Sequence, residues 1–433
     1  MTTGALGALP TPSHWHWQDL WSIAPRVKET GRPDLPALSV YLEAGVVPRT
    51  SRNDNHNRLG EDLSRYLVVR PGDIVFNKLR TWQGGLGASR YSGIVSPAYF
   101  VCRPAGETNS HFLHYLLRSA PYLAELTRIS KWMPPSQFDT PWDQLRKLPI
   151  LLPPVQEQRR IANFLDVEVA RIDRTRSLLT RQQTLIAEAA VRRVYDAVRG
   201  THVKGERKNS GLDWLGTVPA DWRVGAVSHY FEVELGKMLN QDRTQGGHLR
   251  PYLRVANVLW DEIITTDLAY MDFPPEEQTR YRLRPGDLLV NEGGSWPGRA
   301  AIWDGQIAEM YYQKALHRIR ARGQELPRWL YYCLVAAERL RVFQIQGNTS
   351  TMTHLTREQL RPQRFPFPDI PTQSRLVAEL DRAAARNAAT QRLLNRQLDL
   401  LAERRQALIT AAVTGQFDVS TASGRNVTEG VGV

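Results

Sequence analysis

Two stretches of this chain combine an absence of helix breakers with an apolar repeat of seven. From Val155 to Arg199 there is neither proline nor glycine, and Leu165, Ile172, Leu179 and Ile186 recur at heptad spacing. From Ile370 to Thr414 the one proline, Pro371, falls in the first turn, where proline is tolerated, and Leu380, Leu394, Leu401 and Leu408 keep a seven-residue register. Spacing of seven predicts a narrow coiled-coil seam rather than a broad core face. Helical throughout, each rod of about 45 residues would run roughly 65–70 Å. Gly200 and Gly415 follow as C-caps. Two polar residues interrupt the seam: Asn387 stands in the register of Ile172, and Arg193 in that of Leu408.

The remaining segments alternate differently. Residues 66–76 (YLVVRPGDIVF) read as strand, turn and strand, because β-branched and aromatic residues flank Pro-Gly-Asp; Tyr281–Val290 predicts the same. HFLHYLLRSA (111–120) and RWLYYCLVAAERL (328–340) have helical spacing. Each of these parts is therefore expected to be a mixed α+β globule.

The order of elements occurs twice. RPGDIVFNKLRTWQG (70–84) lies over RPGDLLVNEGGSWPG (284–298) at an offset of 214, with Arg70/Arg284, Pro71/Pro285, Gly72/Gly286, Asp73/Asp287, Asn77/Asn291, Trp82/Trp296 and Gly84/Gly298 identical. A second block, residues 144–166 over 359–381, repeats at 215 and retains Gln144, Leu145, Arg146, Pro153, Gln158, Arg160, Leu165 and Asp166. The period is half the length of the 433-residue chain, which makes the sequence a tandem duplication of one globule-and-rod unit. The expected division is a globule over 1–150, a long helix over 151–203, a second globule over 204–365, a second long helix over 366–416, and a small, polar, disordered tail over 417–433. Rods of equal length, laid antiparallel, give a pseudo-twofold body with one globule for each end.

Composition then narrows the function. Lys and Arg number 56 against 44 Asp and Glu, a net charge of +12, which favours a polyanionic partner. The first rod has nine arginines to six acids and the second seven to four, with no lysine in either. Cys102 and Cys333 are too few for a disulfide framework or a four-thiolate zinc site. No apolar run approaches the ~18 residues that span a bilayer, and the N-terminus has no basic head followed by an apolar stretch, so a cytoplasmic protein is expected.

Three blocks resemble the specificity subunit of type I restriction–modification enzymes: PPVQEQRRIANFLDVEVARID (153–173), RRQALITAAVTGQFDV (404–419), and RPGDIVFNKLRTWQGG followed by GIVSPAYFV (93–101). The resemblance runs through both halves in order. It implies that each globule is a target-recognition domain reading one half of a bipartite sequence in double-stranded DNA. It further implies that the paired helices measure the unspecified spacer and dock two modification (methyltransferase) subunits. S-adenosylmethionine would belong to those subunits and not to this chain, a motor/nuclease restriction subunit could join, and this chain would carry no catalysis. Pro371-Thr-Gln-Ser stands where the first copy has Gln156-Glu-Gln-Arg, and GIVSPAY has no sequence echo near Gln306–Tyr312, which implies another recognition subtype for the second globule.

Catalytic signatures are missing from the sequence. Gly236-Lys237 lacks the earlier glycine of a phosphate loop, Gly293-Gly294 lacks dinucleotide-fold spacing, and no Asn/Asp-Pro-Pro-aromatic methyltransferase motif occurs. Asp73 and Asp287 sit in Pro-Gly-Asp turns, and His14-Trp-His16 has no ligand partners nearby. Base reading calls for paired donors and acceptors on surface loops. In the first globule that selects Arg49, Arg52, Asn53 and Asn55, then Lys78, Arg80, Gln83 and Lys131; in the second, Gln241, Arg243, Gln245, Arg254, Asn257, Ser295, Arg299, Asn348 and Thr349. Two other functions fit parts of the pattern: a stand-alone DNA-binding or architectural protein dimerising through the rods, and a nuclease with an unrecognised site.

Overall fold

A computed structural model of the chain describes all residues except 1–5, 8, 10–11, 43, 52–58, 61, 134–136, 239–245, 294–296, 346–353 and 420–433. Both breaker-free stretches are single helices, Val155–Arg199 and Ile370–Val413. Contacts divide the chain into two units: residues 1–180 with 395–433, and residues 181–394. Each long helix thus gives one half to each unit.

Within the first unit the halves run antiparallel. Phe164 packs on Phe417 at 5.7 Å between ring centroids, while Asp173, further along its helix, meets Arg405 from earlier in the other at 3.2 Å. The heptad residues supply the contact. Leu165, Ile172 and Leu408 are buried in one core, and Leu401 packs against it. In the second unit Gln391 donates to the Gln183 carbonyl at 3.1 Å, Leu380 and Leu394 are buried, and Ile186 is half-buried. Leu179, in the first unit, is half-buried too. Burial of each leucine contributes about 1.5–3 kcal/mol relative to exposure, enough to hold a seam of this kind.

The globular parts share a topology. The first contains a four-stranded antiparallel sheet in the order Arg26–Val27, Tyr99–Cys102, Ile74–Asn77, Leu86–Ala88. The second has the order Phe231–Leu235, Leu316–Ala321, Leu288–Asn291, Ala300–Ile302. A two-stranded ribbon brings chain to each long helix: His16–Asp19 with Pro149–Leu152, and Arg223–Ala226 with Arg364–Phe367. Helices Ser110–Leu117 and Ala120–Ile129 cover the first sheet, and Pro327–Arg339 the second.

The repeated residues hold equivalent joints. The Asp73 carboxylate is buried, accepts the Arg70 N–H and takes the Arg103 guanidinium at 2.9 and 3.0 Å. Asp287 does the same with the Arg284 N–H and with Arg320 at 2.7 and 2.6 Å. Gly72 and Gly286 precede them at φ of +92° and +93°, a left-handed turn that a side chain would strain. Gln158 is buried: its amide oxygen accepts the Asn109 N–H and its nitrogen donates to the Pro153 carbonyl, which ties the globule to its helix. Gln373 repeats this with the Leu326 N–H and the Pro368 carbonyl. Asp166 receives the Tyr115 hydroxyl and the His111 ring, and Asp381 receives the Tyr332 hydroxyl and Arg328. Each globule is therefore fixed to a long helix by a buried amide and a carboxylate clamp.

Two expectations need correction. Tyr281–Val290 is not strand, turn and strand: Pro274-Pro275-Glu276-Glu277 starts a helix that runs Pro275–Tyr281, and only Leu288–Asn291 is extended. GIVSPAYFV, as expected, has no sequence echo, although its second strand has a structural one: Tyr99–Cys102 and Leu316–Ala321 hold the same place in the two four-stranded sheets. The tail is not loose from 417 onward. The Phe417 N–H donates to the Ala411 carbonyl, and Phe417 and Val419 pack on the first core. Residues 420–433 lie outside the described ones.

Candidate nucleic-acid interface

In the first unit the described candidates gather at one end of the sheet. Arg49 begins a 3-10 turn directly after strand Gly45–Pro48, with its N–H on the Ala37 carbonyl. Strand Ile74–Asn77 ends just before Lys78, and Arg80 leads into the turn Thr81–Gln83. Arg80 and Gln83 are exposed. Tyr99 links the two places: its hydroxyl lies 3.4 Å from the Asn77 amide nitrogen and feels both the Arg80 and Arg49 cations, although burial is what raises its pKa most. Lys131 is exposed on the hairpin Lys131–Met133/Gln137–Asp139, whose Asp139 lies 3.6 Å from the Lys78 ammonium. Arg52, Asn53 and Asn55 lie outside the described residues.

A half-buried cation braces this edge. Arg118 donates to the carbonyls of Gly84 and Leu86 at 3.0 and 2.9 Å and to that of Leu42, which pins the chain on either side of the Gly84–Gly85 turn. Desolvation pushes its pKa down to about 10, yet a guanidinium there remains charged at neutral pH. The neighbouring His114 is half-buried, desolvation pushes its pKa down to about 3, so it is neutral, and its Nδ1 accepts the Ala88 N–H. These bonds fix the chain on both sides of the turn that carries exposed Arg80 and Gln83.

The second unit offers fewer of its candidates. Asn257 is a correction. It is buried, its oxygen accepts the Arg254 N–H, and its nitrogen donates to the Ile264 and Asp267 carbonyls at 3.0 Å, so no paired edge is left to read a base. Asn257 is the third residue of the short turn Val255–Asn257 and reaches back to the N–H of the residue before it, a capping role that sequence pattern alone does not separate from a reading loop. Arg254 is ion-paired with Asp267 at 2.7 Å. Arg299 is half-buried beside the Gly298 turn. Gln241, Arg243, Gln245, Ser295, Asn348 and Thr349 lie outside the described residues.

Among the described residues no three His, Cys, Asp or Glu side chains come together as metal ligands. Both Pro-Gly-Asp carboxylates, the groups a nuclease reading would need, are engaged by arginines. Burial raises the thiol pKa of Cys102 and Cys333, which makes both poor nucleophiles.

Two related globules on two related helices also describe known proteins. A solved chain from a study of complex assembly and conformational transition in the type I restriction–modification system superposes with a TM-score of 0.69, at 20% identity, over 94% of this chain and 100% of its own. The HsdS subunit from Thermoanaerobacter tengcongensis superposes with a TM-score of 0.55, also at 20% identity, over 95% and 99%. The chain has the fold of a type I specificity subunit. In sequence it is 21% identical to the type I restriction enzyme EcoKI specificity subunit of Escherichia coli strain K12, over 81% of this chain and 75% of that protein. The resemblance read from the sequence therefore holds in both sequence and fold. No protein-family model matches the chain. Among the described residues no helix is long and apolar enough to cross a membrane.

Proposed function

We propose that the chain is the DNA sequence-specificity subunit of a type I restriction–modification system, reading a bipartite target in double-stranded DNA with its two globules. The observation that carries this reading is the doubling itself: one sheet topology, one set of joint residues and one helix, each present twice in a fold shared with HsdS. Duplicated readers whose loops differ suit two unlike half-sites, as half-site geometry follows protein symmetry in dimeric repressors.

Docking belongs to the same reading. Each long helix exposes leucines at equivalent positions beside the buried seam: Leu178 and Leu185 on the first are 60% and 52% exposed, and Leu393 and Leu400 on the second 67% and 45%. Large apolar side chains left in water at repeated positions mark a partner that binds twice. Two methyltransferase subunits fill that role, bringing S-adenosylmethionine and the chemistry. This chain supplies recognition and no catalysis, a motor/nuclease subunit completes restriction, and the complex works in the cytoplasm.

Co-expression with the methyltransferase subunit of its own system tests this against a stand-alone DNA-binding protein. The expected result is a stable complex containing one copy of this chain and two of the methyltransferase, lost in a Leu178→Asp, Leu393→Asp double variant. Failure of the wild-type chain to retain the methyltransferase would contradict it.

A further inference from the structure

Among the described residues two tryptophans are more than half exposed, Trp21 and Trp132, and the Trp21 indole N–H is held by Asp19 at 3.1 Å. Trp132 is different. It lies in the Lys131–Met133 strand of the short hairpin, paired in register with Phe138 and in edge contact with it at 5.0 Å between ring centroids. Phe138 in turn packs at 4.8 Å on Trp82, a tryptophan shared by both repeats. Trp132 is thus the outermost ring of a column of three and remains 54% exposed.

A hairpin of three-residue strands is marginal alone and needs anchoring. Here the Thr140 N–H donates to the Lys78 carbonyl at 3.0 Å, the Ser130 and Thr140 hydroxyls bond at 2.8 Å, and Lys78 lies 3.6 Å from Asp139. These bonds join the hairpin to the segment bearing Arg80 and Gln83, and Lys131 is exposed next to the ring. An indole on a buttressed support, with Lys131 beside it and Lys78 and Arg80 on the segment to which its hairpin is tied, complements a surface that is anionic outside and apolar between: a nucleic-acid duplex. A second protein would meet the cations without their phosphates.

We infer that Trp132 is an apolar base contact of the first globule, its ring packing against a base in the DNA groove while Lys78, Arg80 and Lys131 take the flanking phosphates. Apolar contact with a base discriminates through the thymine methyl or through the ease of opening a base step, so Trp132 selects sequence as well as adding affinity. Phosphate contacts position the protein and do not.

This inference rests on the specificity-subunit reading, and the two fail differently. In the complex with methyltransferase, affinity is measured for the cognate duplex and for an unrelated one across a salt series. Trp132→Ala and Trp132→Lys are each expected to weaken cognate binding about 10-fold relative to the unrelated duplex, the scale of one lost base–aromatic contact. The Trp132→Ala salt slope stays as in the wild type. Lys131→Ala is expected to weaken both duplexes and lower the salt slope by about one. Cognate preference within twofold of wild type in both Trp132 variants would overturn the inference and leave the reading standing. A wild-type complex with no cognate preference would overturn the reading, and the inference with it.

Discussion

A chain shortened to end after Gly200 is expected to pair with itself and, with methyltransferase, to modify a palindrome. In the first unit the half-helix 155–180 packs against the half-helix contributed by residues 395–413. The repeat offset of 215 makes residues 181–199 the counterpart of 396–414, so a second copy of the fragment can supply the missing half, and the pair closes two identical units. The substitution is imperfect at one place. Leu408, 1% exposed in the first core, has Arg193 as its counterpart. Arg193 is exposed in the second unit, beside a small cavity also lined by Arg375 and Glu379. In a fragment dimer it would face the core that Leu408 fills.

Arg193→Leu in the fragment should therefore tighten the dimer. Each buried leucine contributes about 1.5–3 kcal/mol and the change occurs twice, so the dissociation constant should fall by at least ~100-fold. Sedimentation equilibrium over a concentration series reads this directly. Monomers at every concentration, for both the fragment and its Arg193→Leu variant, would contradict the equivalence of the two helix halves.

The second large effect concerns the spacer. Seven residues inserted after Thr180 in one helix and after Asn395 in the other preserve the seam, because both insertions add one heptad at equivalent points of the repeat. Each helix lengthens by ~10.5 Å, close to three base pairs at ~3.4 Å each. The modified target should then keep both half-sites and gain about three unspecified pairs between them. Insertion of five residues instead turns each helix by ~140° beyond whole turns and moves Ile186 and Leu401 off the seam. That variant should lose modification. Methylation mapping that shows altered half-sites with the seven-residue insertion would exclude the helices as the ruler.

Both predictions use features that were legible before any coordinates. Breaker-free stretches with a strict period of seven admit one reading, and identical blocks at one offset impose the duplication. Local chemistry at the joints was half legible. The repeat singled out Asp73, Gln158 and Asp166, but their partners Arg103, Asn109 and Tyr115 lie far along the chain, and no local pattern connects them. The structural offset there also shifts: Arg103 and Arg320 stand at equivalent positions 217 apart, off the register of the repeated blocks. Asn257 was misread because capping and base reading call for the same donor and acceptor. Trp132 was passed over because a tryptophan in sequence carries no mark of its exposure; only the Phe138–Trp82 column shows that it is supported and left outside.

The first unit also explains how a duplicated chain closes. In the second unit Gly200 ends the first helix at φ +65°, and Pro219 and Trp222, on the chain that follows it, pack so closely on it that a Cβ would meet their rings at under 3 Å. In the first unit Gly415 ends the second helix at φ +74° against Pro12 and Trp15, from the opposite end of the chain. One joint is built twice, once by neighbours in sequence and once across the termini.

In the proposed function this chain chooses the DNA sequence at which a methyltransferase acts. Single-molecule methylome sequencing of the source strain, with and without this gene, tests it most directly. Deletion should erase methylation at one bipartite motif, two short specified blocks separated by an unspecified spacer of fixed length, and leave every other modified motif untouched. An unchanged methylome in a strain whose paired methyltransferase is expressed and active would contradict the account.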